Sequence, residues 1–210
     1  MMSDATEEQA RLLDAAVVAG GLGARYTQTH RAYHNLTHIE DVLLRIEELT
    51  PPKEHELSLA LAAWFHDAVY QPDRDDNEER SAYAAYDALE QVGASPDLMA
   101  EVVRLIRLTA GHSADDGDIA GAVLCDADLS ILGAPREKYV QYAQAIRQEY
   151  IHVPVADYHL GRAEALRSFA GREHIYRTPY AREHWEARAR ENIEAEIACF
   201  GEPPDSQAGS

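Results

Sequence analysis

Hydrophobic positions recur at helical spacing along almost the whole chain. Leu12, Leu13, Ala16 and Val17 share one face of a segment that begins near residue 6 and stops at Gly20-Gly21. Ile39, Val42, Leu43 and Ile46 form the next stripe, opened by Asn35 as N-cap and halted by Pro51-Pro52. A third helix over about 54–70 carries Leu57, Leu61, Trp64 and Phe65. The polar stretch QPDRDD separates it from helices at about 77–93 and, behind the N1-type Pro96, at 96–108. Beyond HSADDGD, helical spacing returns at about 118–132, 136–150, 155–172 and 180–199. Sustained alternation with β-branched residues is missing, as is any repeat. The pattern predicts an all-α bundle of about eight or nine helices, one domain over residues 1–200, and a disordered tail, GEPPDSQAGS, over 201–210.

A chain of 210 residues can bury a sizeable single core, and its 46% hydrophobic and 27% charged residues are those of a folded domain. The net charge of −18 excludes two broad partner classes, because the average field repels nucleic-acid polymers and anionic membranes. A small phosphorylated ligand stays compatible, since bound divalent cations invert the field within one cleft. Cys125 and Cys199 form neither a disulfide framework nor a CxxC pair and read as reduced core thiols. MMSDATEEQA is acidic and lacks an apolar leader, and no run approaches the roughly 18 apolar residues of a membrane span, which points to a cytoplasmic protein.

Several polar residues sit where the pattern predicts core. His30, His34 and His38 step by four through THRAYHNLTHIEDVL. With a helix starting near Asn35, His38 lies in the first turn beside Ile39 and faces or borders the core, while His34 stands at the entrance, where the chain can bend over a cleft. His66 and Asp67, in AWFHDAVY, close the apolar run of the third helix and converge on one point only near a helix end. A cap would explain the histidine but not the aspartate, which opposes the helix dipole. In LCDADLSILG, Asp126 and Asp128 lie among Leu124, Leu129, Ile131 and Leu132. Burying an unpaired carboxylate costs several kcal/mol, so at least one of the two needs a cation or strong donors. Two imidazoles and two carboxylates from three helices suit one or two divalent ions (Mn, Mg, Zn or Fe), with positions left for water and substrate.

His38, the His66-Asp67 doublet and Asp128 resemble the H…HD…D signature of the HD superfamily of metal-dependent phosphohydrolases, over about residues 25–195. YHNLTHIEDVL is also similar to the YHNxxHxxDV motif of class I cyclic nucleotide phosphodiesterases, and CDADLS to their CDLS segment. The resemblance implies an HD-like bundle with His38, His66, Asp67 and Asp128 as metal ligands and His34 as general acid. It favours Asp128 over Asp126 as the last ligand, because Asp128 precedes Leu129-Ser130, and leaves Asp126 a supporting role.

The expected activity is hydrolysis of a small phosphate ester, a nucleotide or related metabolite, by metal-activated water, with Asp67 or Asp128 as proton acceptor. Arg31, beside the YHN stretch, is the candidate for phosphate recognition. Glu78 is a candidate for a second-shell water or second cation, or a plain N-terminal helix charge. His112 is a candidate phosphate or second-metal group, or a cap. Two other readings remain: an HD-fold diiron oxygenase, and a non-catalytic nucleotide sensor that keeps the metal cleft. The glutamate that closely follows the doublet in HD nucleotidases is replaced here by Ala68-Val69-Tyr70.

Overall fold

The computed structural model describes residues 4–200; the tail predicted to be disordered lies outside them. Eleven α-helices run in chain order through the described residues: α1 Asp4–Ala19, α2 Leu22–Arg25, α3 Leu36–Glu48, α4 Glu56–Phe65, α5 Asn77–Gln91, α6 Pro96–Leu108, α7 Ile119–Asp128, α8 Arg136–Glu149, α9 Val155–Ala170, α10 Pro179–His184 and α11 Glu186–Cys199. Short 3-10 turns at Lys53–His55 and Leu129–Gly133 precede α4 and follow α7. No strand occurs among the described residues, and no helix is long and apolar enough to cross a membrane.

The bundle is built around α4. Its Leu59, Leu61, Ala62, Ala63 and Phe65 are all fully buried, so it is apolar on every side, as a central helix must be. α1, α3, α5, α6 and α7 pack around it. Gly20 lets the end of α1 reach it, since a Cβ there would lie 2.7 Å from the Phe65 ring. The predicted N-cap holds: the Asn35 side chain accepts the Thr37 N–H at 2.9 Å and starts α3 where the sequence placed it.

Three boundaries differ from the sequence pattern. The third helix stops at Phe65 rather than near 70; His66 keeps helical backbone angles (φ −57°, ψ −37°) as its C-cap, and a turn follows. The segment at 118–132 tightens into its 3-10 turn after Asp128. The last predicted helix is two, broken at Trp185, whose bulk is buried against Gly133 and the Tyr176 ring. The break also separates Arg182 from Glu186: Arg182 donates to the Tyr176 carbonyl, while Glu186 pairs with Arg190. Cys125 is buried as expected, but Cys199 is exposed near the end of α11 and is not a core thiol.

Candidate metal centre

The first turn of α3, the turn after α4 and the last turn of α7 meet at one point. His38 and His66 arrive buried, with their Nε2 atoms 3.2 Å apart. Asp67 Oδ2 stands 3.0 Å from His66 Nε2 and 3.5 Å from His38 Nε2. Asp128 Oδ1 stands 3.2 Å from His38 Nε2 and 3.6 Å from His66 Nε2. The His66 ring is fixed by its Nδ1–H, which donates to the Ala63 carbonyl at 2.9 Å and turns the Nε2 lone pair towards the other donors.

These separations are those of ligands sharing an ion. Donors about 2.1 Å from one centre stand roughly 3.0 Å apart at right angles and about 3.4 Å apart at the tetrahedral angle. His38, His66 and Asp67 form the tight set, their ligand atoms all within 4.8 Å of one another, and could hold a metal ion; Asp128 lies outside that set but contacts both imidazoles. The nitrogen and oxygen donors fit a divalent first-row metal.

Protons take the place of the cation when none is bound. Burial alone would push both imidazoles down, but the carboxylates override it, holding His38 above the usual histidine range and His66 well above it. Burial would likewise raise both carboxyls, yet the facing imidazoles keep Asp67 and Asp128 well below theirs. Metal ligands must be deprotonated, so uptake displaces these protons and affinity rises with pH through the raised histidine range. Titration calorimetry in buffers of different ionisation enthalpy is expected to give about one to two protons released per ion near pH 7. Zero release would mean the imidazoles are not the ligands.

His34 stands next to this cluster, its ring 5.7 Å from that of His38. Its Nδ1–H donates to Glu149 Oε2 at 2.7 Å, leaving Nε2 for other work. Glu149 also accepts the Tyr33 and His34 backbone N–H groups at 2.8 and 3.0 Å and the Tyr70 hydroxyl at 2.8 Å. Though burial opposes its charge, the His34 hydrogen bond and its neighbours hold the Glu149 carboxyl below its ordinary value. The sequence reading missed this residue. Its signal was a carboxylate at a helix C-terminus, where the dipole disfavours it, the same anomaly that exposed Asp67.

A cleft of about 180 Å³ opens over the donors, and its walls include His34, Asp67, Tyr70, Glu78, His112 and Asp128. Glu78, in the first turn of α5, is therefore brought to the site. So is His112, whose Nε2–H donates to Asp128 Oδ2 at 2.8 Å. His112 holds a left-handed backbone (φ 45°), costly for a non-glycine residue and stabilised by Arg172, which donates to the Gly111 and His112 carbonyls.

Two expectations need correction. Arg31 does not face the cleft: it is buried, and its guanidinium donates to the carbonyls of His34 (2.9 Å), Asp67 (2.8 Å) and Ala68 (3.2 Å) and to Gln28 Oε1 (3.1 Å). With these donors engaged, it ties the His34 loop to the His66-Asp67 turn and has no fork left for a phosphate. Asp126 does not support the metal donors either. Its carboxylate faces the other way and accepts the Arg177 N–H at 2.8 Å and the Thr178 N–H at 2.6 Å.

No family model matches this chain, and neither a curated protein nor a solved structure does.

Proposed function

We propose that this protein is a metal-dependent phosphohydrolase of the HD type, its bundle an HD-like fold, acting on a small phosphate ester. The observation that carries the reading is the convergence of His38, His66, Asp67 and Asp128 at 3.0–3.6 Å, one ring away from a carboxylate-oriented histidine. When bound, a divalent ion supplies a Lewis acid for the phosphoryl oxygens and lowers the pKa of water from about 15.7 to about 7.

The chain's own residues do the rest. Asp67 accepts the proton of the attacking water, and His34 protonates the departing oxygen from Nε2. Glu149 fixes the His34 ring through Nδ1 and so aims Nε2. Tyr70 stacks on His34 with centroids 4.1 Å apart and limits rotation of the acid. Arg31 keeps the acid and the ligand turn at constant separation by binding the carbonyls of both.

One contact favours a second reading: His112 on Asp128 adds a fifth donor beside the cluster, which a diiron oxygenase could use. A single experiment separates the two. Protein reconstituted with Mn²⁺, Mg²⁺, Zn²⁺ or Fe²⁺ is offered a panel of phosphate esters while phosphate release and oxygen uptake are followed together. Phosphate release that chelation abolishes is expected. Oxygen uptake without phosphate release, in iron-loaded protein only, would replace the hydrolase by the oxygenase.

A further inference from the structure

Beside the cleft lies a larger chamber of about 490 Å³. The two share His34, Tyr70, Tyr142 and Arg162, so the acid histidine stands in the wall between them. A leaving oxygen protonated by His34 therefore carries its organic group into or towards this chamber.

Several polar groups of the chamber wall are turned onto one another, while the buried Tyr158 hydroxyl has no hydrogen-bond partner among the described residues. The Tyr70 hydroxyl is bound to Glu149 at 2.8 Å, and the Tyr150 hydroxyl to Tyr70. Arg162 donates to Glu196 at 2.9 and 3.3 Å, and its guanidinium lies over the Tyr142 ring at 5.1 Å. What remains for a ligand is the tyrosine ring surface not covered by His34 on Tyr70, Arg162 on Tyr142 and Arg147 on Tyr158, together with Tyr150, Ile146 and Val153. Asp157 is also in the wall, a charge that repels a second anionic group. Apolar surface continues outside, where Ile151 and Val155, neighbours of Val153, are 71% and 56% exposed.

We propose that this chamber receives the ester group of the substrate, and that the group is an aryl-sized, largely apolar one rather than a nucleoside. The proposal rests on the phosphohydrolase reading and narrows it. A nucleoside would bring several base-edge groups and ribose hydroxyls into a wall whose side chains offer little beyond the unpartnered Tyr158 hydroxyl and the Asp157 carboxylate, so most of them would lose water without replacement. An arene loses nothing of this kind and stacks on tyrosine faces. Its uncharged outer edge also suits the neighbouring Asp157.

The test is a binding series on the metal-loaded full chain, followed by calorimetry and thermal shift. The probes are methylphosphonate, phenylphosphonate, 1-naphthylphosphonate, adenosine monophosphate and, without any phosphate, 1-naphthol. 1-Naphthylphosphonate is expected to bind at least about 30-fold tighter than methylphosphonate, and adenosine monophosphate no tighter than phenylphosphonate. Ile146→Asp is expected to collapse the naphthyl-to-methyl ratio by at least about tenfold. Ile146 is buried, so the half-buried Val153→Asp, expected to act in the same direction, covers the case in which the first variant does not fold. Equal affinities for all phosphonates, tightest binding of adenosine monophosphate, or an unchanged ratio in a folded variant overturns the chamber assignment and leaves the phosphohydrolase reading standing. Binding of 1-naphthol with no binding of any phosphonate overturns the phosphate reading, and the proposal with it.

Discussion

Asp128→Ala is expected to lower the metal content of protein purified without added metal by at least about a hundredfold in affinity, whereas Asp126→Ala should leave it near the parent value. The two aspartates are two residues apart on the last turn of α7, but their partners differ. Asp128 reaches both imidazoles of the donor set and also His112. Asp126 is held instead by the backbone N–H groups of Arg177 and Thr178 and by the Thr178 side chain. Loss of a group that merely orients a ligand already costs about 10–100-fold in metal affinity, and loss of a ligand costs more. Asp126→Ala instead unpairs two part-buried N–H groups and should show as a lower melting temperature, at up to about 1–3 kcal/mol for each group left unpaired. Elemental analysis of both variants, with a melting curve for each, decides it. Equal metal loss in the two would remove Asp128 from the ligand set.

His34→Ala should behave oppositely, keeping its metal and losing turnover by about a hundredfold to ten-thousandfold. The loss should depend on the leaving group. Phenyl phosphate needs a proton on the departing oxygen, while p-nitrophenyl phosphate, whose phenolate is already stable, needs much less help. The variant is therefore expected to be far more impaired on the first ester than on the second. Glu149→Gln should follow the same pattern in a milder form, about tenfold, because the ring keeps a hydrogen-bonding neighbour but loses the carboxylate that orients it through Nδ1. Both effects should fall on kcat rather than KM. An equal loss on the two esters would make His34 a structural residue, and a loss of metal would make it a ligand.

The sequence carried more of the fold than of the site's supports. Periodicity located each longer helix because a buried stripe repeats every turn, but it could not see the break at Trp185. Composition is helical on both sides of that residue, and only its packing against Gly133 stops the helix. The four-residue α2 is too short for any period and depends on the left-handed backbone of Gly21. Within the candidate site, polar residues that interrupt apolar runs drew out His38, His66, Asp67 and the pair Asp126 and Asp128, while the choice of Asp128 rested on the resemblance. Glu149 was not legible, since its partners Tyr33, His34 and Tyr70 lie 79 to 116 residues away in the chain. Arg31 was misread for the reverse reason. Its position beside the motif is right, but nearness in sequence does not tell whether a guanidinium meets a ligand or the backbone that holds the ligand's neighbours.

The opposed partners of Asp126 and Asp128 also join two distant parts of the molecule. One carboxylate leans into the metal donors, and the other grips the strand of chain just before α10, which Tyr176 further fastens through its hydroxyl to the Leu129 carbonyl. The final turn of α7 is thus tied, through hydrogen bonds to backbone, to the segment that leads into the C-terminal pair of helices, so the donor cluster and those helices are anchored to the same helical turn.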